Sequence, residues 1–224
     1  MKKRLRKLLA IALTATMVMS MGAPAFATTE KEISIEEYEM QIQSEAKKYG
    51  IEYEVLEYDP NKVITQEMAD KAVKDIQLYG EYRTAQNISN SNKFAATKEN
   101  ANVMASNNEL LRAIPMSKNV SGSFSIIVFP YGRASKAVDA NVTVYAQNNA
   151  VMRVNSTDVY QLGNFVNFTG WTTTSVSPGL NSPELGWVSL LIKGRATFAY
   201  ADPVTGVTSG HTEQVTEVVE INCI

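Results

Sequence analysis

The sequence of 224 residues has little of the chemistry on which many enzymes depend, because it contains one cysteine and one histidine. With Cys223 alone, no disulfide can form within the chain, and we expect Cys223 to be a small buried hydrophobic residue. Zinc sites need several Cys or His ligands, and a Ser-His-Asp triad would have to use His211. The sequence therefore predicts no metal site and no cofactor, and it assigns no catalytic residue.

Apolar runs of membrane length are also lacking. The longest uncharged, mostly apolar run is residues 8–21, which is shorter than the roughly 20 residues that span a bilayer. Five Lys and Arg residues precede it within the first seven positions, and Ala25-Phe26-Ala27 follows it with small residues where a signal peptidase cleaves. This order predicts a cleavable bacterial signal peptide over residues 1–27, with an uncleaved anchor as the alternative. We expect a secreted, extracellular protein, either released or associated with the cell wall.

Positive charge is scarce once the signal peptide is removed. Five of the 21 Lys and Arg residues lie in it, which leaves 16 against 23 acids and a net charge of −7. Nucleic-acid binding requires a basic surface, so nucleic acid is excluded as a partner, and so is the membrane after signal removal. The acids concentrate in residues 28–83, where 14 acidic residues face 7 basic ones. We therefore expect two regions of different character.

Residues 28–83 are predicted to be an acidic helical region composed of helix, short strand and helix. Ser34 and Glu37 form a capping box, and Gly50 ends the first helix. The apolar stripes of the two helices recur every three or four residues: Ile35, Tyr38, Ile42, Ala46 and Tyr49, then Met68, Ala72, Ile76 and Tyr79. We expect Gly80 to end the second helix. The stripes must pack within the chain or against another protein, since neither helix can bury its stripe alone.

Residues 84–118 are rich in Asn, Ser and Ala and predict a linker, because Asn and Ser favour turns over regular structure. From residue 119 onward the apolar period changes to two. The longest alternation is Val188, Leu190, Ile192, Gly194, Ala196, Phe198 and Tyr200. The predicted fold class is α+β: an N-terminal two-helix region followed, over residues 119–224, by an antiparallel β-sandwich of immunoglobulin-like or jelly-roll type.

Carboxylate chemistry is left open by the sequence. A glycosidase needs two acids about 5 to 9.5 Å apart, and the β region offers several. Glu213 and Glu217 point the same way on one strand but are separated by roughly 14 Å. No pair on a single strand has the required spacing, so an extracellular polymer hydrolase would need acids from different strands.

The two tryptophans, Trp171 and Trp187, are the candidate binding residues. By strand alternation both fall on polar, outward faces, where an aromatic ring can stack on a sugar or anchor a protein. Gly170 and Gly186 directly precede them, and a bulge at either glycine would turn the ring inward. The main hypothesis is a non-enzymatic extracellular binding module for cell-wall polymer, glycan or protein. The alternatives are the hydrolase and a self-assembling or toxin-like secreted protein that pairs through its helical region.

Overall fold

The computed structural model describes residues 30–104, 115–128, 132–145, 151–181 and 186–223. The predicted signal peptide, residues 1–27, lies outside the described residues. Lys31–Ile224 forms one compact unit, so the helical region and the strands belong to a single body.

The described elements are two α-helices and seven strands. The helices are α1 (Ile35–Ala46), followed by a 3₁₀ turn, Lys47–Tyr49, and α2 (Gln66–Met104). The strands are β1 (Glu52–Tyr58), β2 (Pro115–Val128), β3 (Gly132–Tyr145), β4 (Val151–Val166), β5 (Phe168–Asn181), β6 (Trp187–Ala201) and β7 (Val207–Asn222). The coarse prediction of two helices with antiparallel strands is confirmed.

Helix α1 begins where its capping residues predict. The Ser34 side chain accepts a hydrogen bond from the backbone N–H of Glu37, which satisfies one of the unpaired donors of the first turn. Gly50 ends the helical segment in the left-handed region, with φ of 69°, where glycine is favoured. The apolar stripes are buried within this chain at Tyr38, Ile42, Ala46, Ile76 and Tyr79.

Helix α2 is 39 residues long and continues well past Gly80, where the sequence predicts its end. A Cβ on Gly80 would overlap the Tyr49 ring, so glycine is needed there for close packing and does not terminate the helix. Residues 84–104 are helical and residues 115–118 lie in β2, so the predicted linker is wrong over both ranges. Residues 105–114 lie outside the described residues.

The strands form two antiparallel sheets. The four-stranded sheet has the order β1-β7-β6-β5, and the three-stranded sheet has the order β2-β3-β4. Strands that are consecutive in sequence pair within each sheet, and β1 joins at the edge of β7. The order of these described strands lacks the Greek-key crossovers of the immunoglobulin and jelly-roll types.

One apolar core cluster contains residues from both helices and from both sheets. The alternation in β6 places Val188, Leu190 and Ile192 fully inside, as the sequence predicts. Gly122 of β2 lies against Val219 and Ile221 of β7, so the three-stranded sheet packs on the four-stranded one there. Cys223 is buried, as expected. Within the described part of the chain, no helix has the length and apolar character required to cross a membrane.

Candidate functional site

Trp171 lies on the inner face of its sheet, not on the outer face that strand alternation predicts. A bulge between Phe168 and Gly170 shifts the register, so Trp171 pairs across from the fully buried Ala196. Its ring contacts the Phe124 ring, with centroids 5.8 Å apart, and covers Gly194. The extra residue at the bulge is the physical reason that the predicted orientation is wrong.

Trp187 does point outward, with 39% of its surface exposed. Its neighbour Val188 is fully buried, so Trp187 and Trp171 lie on opposite faces of the four-stranded sheet. They cannot form one flat stacking platform. The binding role of each remains a prediction.

Lys136 occupies an unusual place beside Trp171. Its side chain points into the core from β3, and its amine lies 5.7 Å from the ring centroids of both Phe168 and Trp171. Burial lowers the pKa of this amine, because a charged group loses its hydration there. The two rings offset part of this cost through cation–π attraction.

A buried polar cluster joins α2 to the four-stranded sheet. Nη2 of Arg83 lies 3.1 Å from Oε1 of Glu213 and donates to the carbonyl oxygen of Ile127 at 2.7 Å. The Tyr79 hydroxyl donates to the same carboxylate. Glu217 lies 3.8 Å from Arg83. One guanidinium therefore pairs with both Glu213 and Glu217, which are four residues apart on β7.

The electrostatics of this cluster follow from its burial. Burial raises the pKa of the Glu213 carboxyl, and Arg83 opposes this rise. His211 stacks on Phe198, and burial followed by repulsion from Arg83 lowers its pKa to about 4. The imidazole is therefore neutral at pH 7. Arg83 and Glu213 are buried and Glu217 is partly buried, and this arrangement is suited to fastening α2 onto the sheet.

Helix α2 also covers the part of β7 that β1 does not reach. The Asn87 side chain donates to the carbonyl oxygen of Gln214 and accepts from the N–H of Thr216, and Asn90 donates to the carbonyl oxygen of Thr216. These amides take the place of a neighbouring strand along an otherwise unpaired edge. The Asn residues that predict a linker therefore lie in a helix, and two of them form hydrogen bonds with the backbone of β7.

A depression of about 410 Å³ lies on the outer face of the three-stranded sheet. Its lining comes from three adjacent strands and is mostly polar: Asn119, Val120, Ser121, Asp139, Ala140, Asn141, Ser156, Thr157 and Asp158. These residues form rows across the sheet, since Asn119 pairs with Asn141 and Asn141 with Ser156. The neighbouring row on the same face consists of Ser121, Asp139 and Asp158.

Hydrogen bonds between side chains order this polar surface. Asn141 donates from its amide to Asn119 at 2.7 Å, and Asn155 donates to Asn141 at 2.7 Å. The hydroxyl of Tyr160, a side chain that is 40% exposed, donates to Asp139 at 3.3 Å. Amides, carboxylates and hydroxyls therefore line one concave surface, and the Tyr160 ring lies next to it through its hydrogen bond to Asp139.

Asp139 and Asp158 are opposite each other on neighbouring strands, and both are exposed. The sequence shows both among the acids of the β region, but it does not show that they are neighbours, because pairing of β3 with β4 depends on tertiary structure. No group of three His, Cys, Asp or Glu side chains with metal-binding geometry occurs in the described ranges.

Comparison with known proteins found no match. No family model fits the sequence, and no curated protein or solved structure is significantly similar to it.

Proposed function

We propose that this chain is a secreted bacterial binding module that holds a glycan or cell-wall polymer on the outer face of β2, β3 and β4. The observation that carries the proposal is the depression lined by two adjacent polar rows, one containing Asn119 and Asn141 and the other containing Asp139. Concave surfaces with a few convergent polar groups are the usual form of small-ligand sites. The signal-like segment at residues 1–27 supports an extracellular ligand.

The chemistry of the depression suits a sugar. Sugar hydroxyls donate to carboxylates and accept from amide N–H groups, and each Asn amide has two N–H donors. Asn141 donates to Asn119, which leaves its second amide hydrogen for a ligand. The Tyr160 ring lies beside Asp139, where it can pack on the apolar face of a pyranose.

The packing of the two sheets supports an inference about architecture as well. We infer that they are the two layers of a sandwich, with Gly122 of β2 allowing close approach to Val219 and Ile221 of β7. A rigid layer beneath the three-stranded sheet would keep its outer face preorganised for binding.

A second candidate function, hydrolysis of an extracellular polymer, is favoured by one observation. Asp139 and Asp158 pair directly across neighbouring strands and line the same depression. Residues directly opposite on antiparallel strands have Cβ atoms about 4.5 to 5.5 Å apart, so their carboxyl groups can adopt the roughly 5 Å spacing of retaining glycosidases. In that case Asp139 and Asp158 would supply the nucleophile and the general acid.

One experiment tests binding. Purified protein spanning residues 28–224 is co-sedimented with cell-wall sacculi and with a panel of insoluble polysaccharides. We expect pull-down by the wild type, loss of it in Asp139→Asn and Asp158→Asn, and retention in Glu57→Gln, which removes one exposed charge on β1. Circular dichroism verifies that each variant is folded.

The alternatives have distinct outcomes in the same assay. Loss of pull-down in Trp187→Ala alone would move the site to the four-stranded sheet and contradict the assignment to the depression. Release of soluble reducing ends, abolished by Asp139→Asn, would show hydrolysis. A wild type that sediments with none of these polymers would contradict glycan binding.

A further inference from the structure

Strand β4 has an outer edge that no described strand covers. It is the last strand of the β2-β3-β4 sheet and runs over Val151–Val166. Its inward side chains Val154 and Val159 are only partly buried, whereas their neighbours Val138 and Val142 on β3 are fully buried. The core is therefore incompletely covered along this edge. An edge of this length is a template for pairing with another strand.

The charges on β4 are unbalanced within one chain. Asp158 is directly opposite Asp139, an arrangement of like charges that destabilises a sheet. Arg153 lies five residues away on the same strand, about 16 Å along it, which is too far to reach Asp158. The contact of Arg153 among the described residues is with the Thr143 hydroxyl at 3.5 Å, and no described carboxylate pairs with it.

We propose that β4 pairs antiparallel with β4 of a second copy of this chain, about a twofold axis between Asn155 and Ser156. In this register Arg153 of each copy is opposite Asp158 of the other. Both residues belong to rows of the outer face, because Asp158 pairs with Asp139 and Arg153 with Thr143. The interface is isologous, as a closed dimer requires.

Other pairs in the same register are also compatible. Val154, which pairs with the fully buried Val142, would be opposite Thr157 of the second copy on the inner face. Asn155 lies at a register shift and has no partner residue on β3, and in the dimer it would be opposite Ser156 of the second copy. The guanidinium also offsets the repulsion between Asp139 and Asp158.

Such a dimer would have a continuous six-stranded sheet with two depressions on one face. Two sites on one rigid body raise the avidity for a repeating polymer well above the affinity of either site. The oligomeric state can be measured without any ligand, so the dimer and the proposed function are tested separately.

The test is sedimentation equilibrium of residues 28–224 in the presence of a reductant, with the wild type and three variants. We expect a concentration-dependent dimer for the wild type, and monomers for Arg153→Asp and for Asp158→Arg, because each places like charges across the axis. The double variant Arg153→Asp/Asp158→Arg should dimerise again. An equal mixture of the two single variants should form a mixed dimer.

Each other result overturns the proposal. A wild type that stays monomeric across the micromolar range excludes the dimer. Dimers that persist in both single variants place the interface elsewhere. Single variants that are folded by circular dichroism but do not associate when mixed, together with a double variant that stays monomeric, exclude this register.

Discussion

Arg83 on α2 and Glu213 on β7 form an ion pair inside the protein, where their side chains are 4% and 1% exposed. Tyr79 donates to the same carboxylate, while Oε2 of Glu213 has no hydrogen-bond partner among the described residues. The interaction fixes the position of a long helix against a sheet more than 100 residues away in sequence. Its energetic cost and benefit can be separated by mutation.

Removing one partner of this pair should be far more harmful than removing both. Arg83→Met leaves a buried carboxylate without its cation, and we expect a loss of about 3–5 kcal/mol in the free energy of unfolding. The double variant Arg83→Met/Glu213→Leu should recover most of that loss, since neither charge is then buried. Urea denaturation of the two variants measures the difference. If the single and the double variant lost the same free energy of unfolding, the unpaired Glu213 charge would not be the cause of the loss.

The histidine predicts a specific pH dependence. The pKa of His211 is lowered to about 4 in the folded protein, whereas an unfolded chain titrates near 6.5. Between these two pH values His211 is protonated in the unfolded state but not in the folded state. The free energy of unfolding therefore falls as the pH drops from about 6.5 to 4. The full effect is about 3 kcal/mol.

The test of this dependence is a difference between His211→Gln and the wild type. The raised pKa values of Glu213 and Glu217, caused first by burial, make their contributions to stability fall as pH rises, which opposes the histidine. Both acids are present in the two proteins, so their effects largely cancel. Urea unfolding across pH 4–7 should show that the free energy of unfolding rises less with pH in the variant than in the wild type. Parallel slopes would contradict a buried neutral imidazole.

Gly80 offers a test of helix packing against helix propensity. Ala favours a helix over Gly by about 1 kcal/mol, yet a Cβ at Gly80 would overlap the Tyr49 ring. Overpacking costs about 1–3 kcal/mol, so Gly80→Ala should be destabilising. Gly163→Ala in β4 controls only for the added methyl group, because a Cβ there meets nothing within 4 Å. Thermal unfolding measures the effect, and a higher melting temperature for Gly80→Ala than for the wild type would contradict this packing.

The amide of Asn87 should protect the edge of β7. Its replacement by Ala removes one hydrogen bond to Gln214 and one from Thr216, with an expected loss of about 1–3 kcal/mol. An uncovered strand edge also promotes aggregation, so light scattering on heating should rise. The exposed Asn92, replaced by Ala, is the control on the same helix. Identical behaviour of the two variants would exclude a role for Asn87 in covering the edge.

Local patterns predicted much of the fold and little of the candidate site. The cap at Ser34, the buried alternation in β6 and the buried Cys223 all follow from rules that involve residues close in sequence. Trp171 was misplaced because the bulge between Phe168 and Gly170 turns its side chain to the inner face, and a second bulge between Thr173 and Ser175 restores the alternation. The neighbouring positions of Asp139 and Asp158 depend on strand pairing, which alternation does not encode.

The sequence by itself determined the start of α1, the apolar stripes of the helices and the period of the strands, because these depend on contacts within a few residues. Tertiary structure decided that α2 continues through residues 84–104. Asn and Ser are weak helix formers in isolation, but here Asn87 and Asn90 gain hydrogen bonds from the backbone edge of β7. The same edge exists only after β7 has paired with β6, so no local pattern could have revealed it.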